Sequence, residues 1–462
     1  MKKRVYIHCE ITKREFEGKL LLSTIAADKN FDVYMGNIQG LESNINIPTG
    51  LLHFTSCTPS KKILSLFKRL KKKNFIISCQ DEEGGVEEVK NFFSKLPVGM
   101  FNYRFSESSL KLIDALFSWS NFDYNHLISR FPKYKKKIFN TGNPRADMWS
   151  KVLKKVYNEP KKKDFILISS HTDGPSSNKT LIENLKIIYE AYFVNKDKEF
   201  EKNKIHFFDN YSAKTKYLYI FVDSIINLAN KFKNEKFIFR PHPVENLELW
   251  KFLFRNNSNI FVTKENSSTF WMHRSKILLH NGCYTSVEAA NLGVDIVTYI
   301  PKEIKKYVKP FTGGLGFRCF NQNQLFKNFQ KILSKKNKKI IDDKKLQNFN
   351  KVNSRFHFPS KVLNSEKIVD TWVNLNKCNN TNYIDVFLFK FLILIKKLQF
   401  IFFKKYKDIN ISDLDRKFEN INFHKSNLMV QKIITILKLN SNIKFELINN
   451  HICRIVKSGK NV

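Results

Sequence analysis

Residues 237–301 constrain this chain most. Three short apolar runs, at 237–239, 260–262 and 277–279, are each too short for a helix and each runs into a polar turn. A fourth, at 296–299, follows a helical pattern over 285–292 that closes at Gly293. Buried strands alternating with helices at this spacing are the mark of βαβ units on a parallel sheet, so the expected class is α/β. The polar residues come directly after the strands: Arg240 and His242 after the first run, His280, Asn281 and Gly282 after the third. Open α/β sheets bind ligands along that carboxyl edge. Residues 282–286 then lead into a helix start, where free N–H groups and the helix dipole favour a phosphate, which makes Thr285 and Ser286 phosphate-binding candidates. Glu288, one turn in, is placed to accept hydrogen bonds from a ribose. Together these residues read as half of a nucleotide-sugar site.

The chain opens in the same style. Residues 5–9 predict a buried strand, a polar turn follows, and Phe16, Leu20, Leu21, Ile25 and Ala26 share one face of a helix. Arg14 and Glu15 stand at that turn as candidates for lining a cleft. Further strands are predicted at 31–35, 50–54 and 75–79, the last ending in the acidic turn QDEEGG. Asp81, Glu82 and Glu83 are costly to crowd unless one stays protonated or pairs with a cation. Such crowding is also how a carboxylate is tuned into a general base. An exposed acidic turn is the plain alternative, and in a chain this basic we favour the catalytic one.

Strands at 115–119 and 138–140 lead to TGNPRAD, where Gly142 and Pro144 break the backbone and Arg145 either binds a phosphate or pins two domains. The stretch YNEPKKKD at 157–164 reads as a linker. The expected domains are therefore 1–156 (acceptor side), 157–376 (nucleotide-sugar side) and a basic, apolar, mostly helical extension, 377–462. Within that extension DVFLFKFLILIKKLQFIFF is strongly apolar, but Lys390, Lys397 and Lys404 recur on one helical face. A helix lying in a membrane interface and a buried helix with snorkelling lysines both fit.

The formal net charge of +38 over 462 residues raises the question of nucleic acid. Lys, Asn, Ile and Phe are inflated together, as an AT-rich coding sequence would produce, and no nucleic-acid-binding motif accompanies the charge; nucleic acid is not an expected partner. Basic clusters at 61–73 and 133–137 do look placed. The first, with Ile63, Leu64, Phe67 and Leu70 interleaved, suits either an anionic membrane surface or an ordinary helix with its apolar stripe in the core. Seven cysteines without a CxxC pair point to reduced thiols in a cytoplasm. Neither a secretory signal nor a spanning helix is predicted. No His, Asp or Cys grouping has metal-ligand spacing, so no metal and no cofactor is expected.

With KREFEGKLLLSTIAA, DEEGG, FSWSNFDYNHL, NTGNPRADM, FRPHPVENLELW and LLHNGCYTSVEA in this order, residues 4–301 resemble the bacterial surface carbohydrate (surface polysaccharide) biosynthesis protein family. The resemblance implies a GT-B-type fold, two Rossmann-like domains facing each other across a cleft. The chain is also distantly similar to bacterial sialyltransferases and related CMP-sugar transferases, whose acidic motif, HP motif and Ser/Thr pair match Glu82-Glu83-Gly84, His242-Pro243 and Thr285-Ser286. That similarity implies Glu82 as the base on an acceptor hydroxyl, with His242, Thr285 and Ser286 on the departing phosphate. The extra acid, Asp81, leaves the choice among Asp81, Glu82 and Glu83 open. Arg240 can donate to a phosphate or a carboxylate, or brace the acidic turn.

The reading is a cytoplasmic inverting glycosyltransferase held peripherally at the inner face of the plasma membrane. Its donor would be a nucleotide sugar, with a CMP-linked acidic sugar the first choice, and its acceptor a lipid-linked or glycan chain of lipopolysaccharide, capsule or other surface polysaccharide. The alternatives are a non-hydrolysing sugar-nucleotide epimerase and a non-catalytic membrane- or polyanion-binding protein.

Overall fold

The computed structural model describes residues 3–37, 47–84, 104–158, 163–172, 174–192, 196–334, 338–359, 361–375 and 418–458, together with Phe387, Phe389, Phe391 and Leu394. Two compact units result: 1–86 with 100–158 and 354–462, and 87–99 with 159–353. The division after Asn158 falls within the stretch 157–164 read as a linker. The chain crosses back at Ser354, however, so the helix Asn364–Leu375 belongs to the first unit and not, as a boundary at 376 would have it, to the second.

In the first unit β1 (Lys3–His8), β2 (Phe31–Gly36), β3 (Leu51–Phe54), β4 (Ile76–Gln80), β5 (Ala115–Ser118) and β6 (Ile138–Asn140) pair in parallel in the order β2-β1-β3-β4-β5-β6. Their near-continuous apolar runs are what a sheet covered on both faces requires, and β2 and β3 are buried throughout. The strand order reverses between β1 and β3. The helix α1 (Thr12–Asp28) follows β1 and is buried along most of its length, including Glu15 and Lys19.

The second unit holds β7 (Phe165–Ser169), β8 (Lys236–Arg240), β9 (Ile260–Val262), β10 (Ser275–His280), β11 (Asp295–Tyr299) and β12 (Phe317–Cys319), all parallel in the order β9-β8-β7-β10-β11-β12. This is a doubly wound order, with its reversal between β7 and β10. Trp250 and Phe254 pack on Phe239 of β8, with ring centroids 4.4 and 4.9 Å away. The expected class, α/β with two Rossmann-like units, is the observed one.

The extension, expected to be mostly helical, carries the helix Phe423–Leu437 and also a hairpin that the sequence did not announce. In it β13 (Ile443–Asn449) and β14 (Ile452–Lys457) pair antiparallel, and β14 pairs antiparallel with β2, enlarging the first sheet to eight strands. Phe389 is buried in the first unit against Tyr34 and Tyr6, while Phe387, Phe391 and Leu394 are exposed. Lys390, Lys397, Lys404 and the rest of the apolar segment at 385–403 lie outside the described residues. Among the described residues, no helix is long and apolar enough to cross a membrane.

TGNPRAD clasps the returning chain. Asn364 Nδ2 donates to the Asn143 carbonyl at 3.1 Å, and Asp147 accepts from the backbone N–H of Asn364 and Ser365, both at 2.8 Å, and from Ser365 Oγ at 2.6 Å. Asp147 thus caps the helix Asn364–Leu375 from a distant part of the chain. Asp147→Ala would leave those helix-terminal N–H groups buried without an acceptor. We expect it to destabilise the protein by about 2–4 kcal/mol, read as a lowered thermal midpoint.

Candidate functional site

In the first unit the acidic turn follows β4 directly and lies over the switch between β1 and β3. Four carboxylates (Glu15, Asp81, Glu82, Glu83) meet four cations (Arg14, Lys19, Arg104, Arg145). The crowding anticipated from the sequence is therefore relieved by pairing. Asp81 is fully engaged: Oδ2 accepts from Arg104 Nε at 2.7 Å, Oδ1 from the Glu83 N–H at 2.8 Å, and its carbonyl from Trp119 Nε1 at 2.6 Å. Glu83, more than a third exposed, pairs with Arg14. Gly84 lets the turn lie against Trp119, since a Cβ there would come within 1.8 Å of the indole; Gly85 lies outside the described residues.

Glu82 differs from both neighbours. It is 5% exposed; Oε1 is 3.3 Å from Lys19 Nζ, and among the described residues Oε2 accepts no hydrogen bond, with Arg145 Nη1 3.9 Å away. Burial raises its carboxyl, Lys19 works against that, and the balance stays above the ordinary value. Asp81 is raised by burial too, with Arg104 opposing.

Glu15 and Arg14, read as cleft residues, serve this network from within. Burial alone would raise the fully buried Glu15, but Lys19 at 2.8 Å and Arg14 at 2.7 Å override it and hold its carboxyl well below the usual range. Lys19 also donates to the His8 carbonyl at 2.7 Å. Arg145, read as a phosphate ligand or a domain pin, has its guanidinium donating to the Glu82 carbonyl at 3.3 Å and lying 5.4 Å from the Trp119 ring centroid. A pocket beside the turn is lined by Asp81, Glu83, Gly84, Arg104, Trp119 and Asp123 among others. Arg104 had no signal in the sequence beyond charge balance, because its partner lies on the turn of a separate strand.

In the second unit the carboxyl ends of β8, β7 and β10 lie side by side and bring together Arg240, His242, His171 and Asn281. The His171 and His242 rings meet edge to face at 5.3 Å, and Asn281 Nδ2 donates to the His171 carbonyl at 3.0 Å. Asn281 Oδ1 and Thr285 Oγ1 are buried polar atoms with no hydrogen-bond partner among the described residues. Arg240 Nη2 donates to the Asn266 carbonyl at 2.7 Å. The residue that organises this edge, Glu245, was not singled out in the sequence. Fully buried, it accepts from Ser170 Oγ, from the Thr172 N–H at 2.7 Å and Oγ1 at 2.9 Å, and from the His242 N–H at 3.1 Å. The available signal was SSHT, a polar run straight after a predicted strand.

Three residues read as ligand-facing are buried and have partners inside the unit. His280 is fully buried, with Nε2 2.7 Å from Thr298 Oγ1 and Nδ1 accepting from the Gly282 N–H at 3.1 Å; burial lowers its imidazole to about 3. Ser286 is buried and donates to the Cys283 carbonyl at 2.9 Å. Glu288 accepts from Ser268 Oγ at 3.0 Å, bracing a neighbouring helix. Gly282 has φ +97°, and a Cβ there would lie 2.5 Å from Val308 Cγ1, so the turn into the helix Thr285–Asn291 requires glycine. Among the described residues no group of three or more His, Cys, Asp or Glu is placed to hold a metal ion.

No family model matches the chain, and no curated protein matches it. Solved structures do. UDP-GlcNAc 2-epimerase from Neisseria meningitidis, bound to UDP-GlcNAc, is 15% identical, with 81% of this chain and 100% of that one covered at a TM-score of 0.43. A glycosyltransferase from Rickettsia africae is 13% identical, with 82% and 100% covered at 0.41. A variant of the wall teichoic acid polymerase TagF is 13% identical, with 81% and 88% covered at 0.47. At these values function has to be read from the chain's own residues.

Proposed function

We propose that this protein is an inverting glycosyltransferase of surface carbohydrate synthesis, moving a sugar from a nucleotide donor to a surface polysaccharide or lipopolysaccharide acceptor. The observation that carries this reading is Glu82: a buried carboxylate at the carboxyl edge of a parallel sheet, tuned upward, with one oxygen lacking a hydrogen-bond partner among the described residues and a second oxygen held by Lys19. That is the equipment of a general base. In this reading Glu82 Oε2 takes the proton of an acceptor hydroxyl as its oxygen bonds to the sugar's anomeric carbon. The bond from that carbon to the phosphate breaks, and its electron pair leaves with the nucleotide. Arg240, His242, His171 and the Thr285 hydroxyl supply donors for a phosphate at the switch point of the second sheet.

Free nucleotide is the readout. CMP-, UDP- and GDP-sugars are each supplied with and without bacterial membranes as the acceptor source, the CMP-linked acidic sugar first. Nucleotide release that needs the acceptor supports transfer; interconversion of the donor sugar with no acceptor would make the protein an epimerase.

A pH dependence follows from Glu82. A protonated base cannot accept, so activity falls as pH drops through its folded pKa. Because burial raises that value, the acid limb of kcat/KM should lie above the ~4.3 of an ordinary glutamate. Lys19→Met removes the charge that opposes burial and should move the limb further up. A limb that stays in the ordinary range in both proteins would remove Glu82 from the role.

A further inference from the structure

The connectors that enter β4, β5 and β6 carry a surface that the proposed reaction does not use. These three strands are neighbours in the sheet, so the segments before Ile76, Ala115 and Ile138 lie side by side along its amino-terminal edge. That is the opposite end of the strands from Asp81 and Glu82. The first connector ends the helix Lys61–Lys72, the second ends the helix Glu107–Leu112, and the third is the turn Pro132–Lys137.

The three are tied at one point. Lys71 Nζ binds both oxygens of Asp114, at 3.0 and 2.9 Å, and Lys137 Nζ donates to the Ile113 carbonyl at 2.6 Å and the Leu110 carbonyl at 3.2 Å. Burial lowers the Lys137 ammonium, with Asp114 opposing and the nearby Lys71 charge adding to it. Around this anchor Lys72, Lys111, Arg130, Lys133, Lys135 and Lys136 are exposed. Asp114 is already committed to Lys71 and to the Ile77 N–H. Two basic clusters that are well separated in the sequence thus become one rim.

We propose that this lysine rim is a docking surface for an anionic lipid bilayer. The helix Lys61–Lys72 buries Leu66, Phe67 and Leu70 in the protein core, so its apolar stripe is not offered to lipid. No large hydrophobic residue of the three connectors is exposed, and Tyr134 is buried, which removes both an inserting wedge and a stacking platform for bases. What remains is electrostatic attraction to a charged plane, worth about five-fold in affinity per cation and screened by salt. Docked by this edge, the molecule would point the acidic turn away from the headgroups. The inference stands on the rim alone and does not require the transferase reading.

The test is cosedimentation of the full-length protein with phosphatidylglycerol–phosphatidylcholine vesicles and with pure phosphatidylcholine vesicles. The expected result is binding to the anionic vesicles only, released at about 0.5 M salt. The variant Lys133→Glu/Lys135→Glu/Lys136→Glu should bind at least ~10-fold more weakly. A control with the same change of net charge on the other unit, Lys327→Glu/Lys338→Glu/Lys339→Glu, should stay close to the parent. An unchanged thermal midpoint in the rim variant confirms that it folds. Equal losses in the two triple variants would overturn the proposal by assigning the effect to net charge. So would retention by an RNA column with no binding to vesicles.

Discussion

Glu82→Gln should cut sugar transfer by about three orders of magnitude, within the range that a positioned general base contributes. Glu83→Gln should change it only a few-fold. The two substitutions are chemically identical and adjacent, so the contrast isolates geometry. Glu83 is more than a third exposed and its partner is Arg14, and losing a partly exposed pair of this kind costs little. Glu82 is buried with one oxygen unpartnered among the described residues, and the amide keeps its shape but cannot take a proton. Asp81→Asn should act through structure: it weakens the Arg104 pair and the turn's own N–H bond, so activity and thermal midpoint should fall together. The midpoint of Glu82→Gln must be measured alongside, because the substitution leaves Lys19 and Arg145 with less opposing charge. Transfer that survives in Glu82→Gln, or dies in Glu83→Gln, would end the case for Glu82.

Strand ends were readable and their partners were not, and the reason is physical. A parallel strand buried on both faces leaves an unbroken apolar run, so β1, β4, β8 and β10 stand out in the sequence. The residues after such a run sit at the carboxyl edge by necessity, and Glu82, His242 and Asn281 lie there. Which of those residues faces a ligand depends on what lies beside them. His280 and Ser286 have the same local signature as Asn281 and Thr285, yet Thr298 and the Cys283 carbonyl take up their polar atoms. Arg104, Glu245 and Lys19 in its contact with Glu82 act through neighbours that the strand order supplies. TGNPRAD was legible as a turn, but its work, holding the helix Asn364–Leu375, involves a partner from the far side of the second unit's sequence. The hairpin at the end of the chain was hidden for a similar reason. β13 alternates polar and apolar residues as an outer strand does, and β14 finds its pairing partner in β2, near the opposite end of the chain.

That hairpin sets the second large effect. Removing residues 440–462 should leave a chain that fails to accumulate in soluble form. β2 is buried along its whole length and would become an open edge, a template for intermolecular pairing. Ile443, Phe445, Ile448, Ile452, Cys453, Ile455 and Val456 are all nearly fully buried. Even at the low end of ~1.5 kcal/mol for each large side chain, their loss approaches ~10 kcal/mol, comparable with the whole stability of a typical domain. A gentler probe keeps the fold within reach: Arg454 grips Asp32 with two bonds, at 2.6 and 3.1 Å, across the β14–β2 pair. Arg454→Met strands a buried carboxylate, whose Tyr34 hydroxyl contact at 3.3 Å is a weak substitute. It should cost about 3 kcal/mol, lowering the thermal midpoint by roughly 6–12 °C. If the truncated chain stays soluble with the parent's midpoint, the hairpin is an ornament on the first sheet and its edge strand is β2 itself.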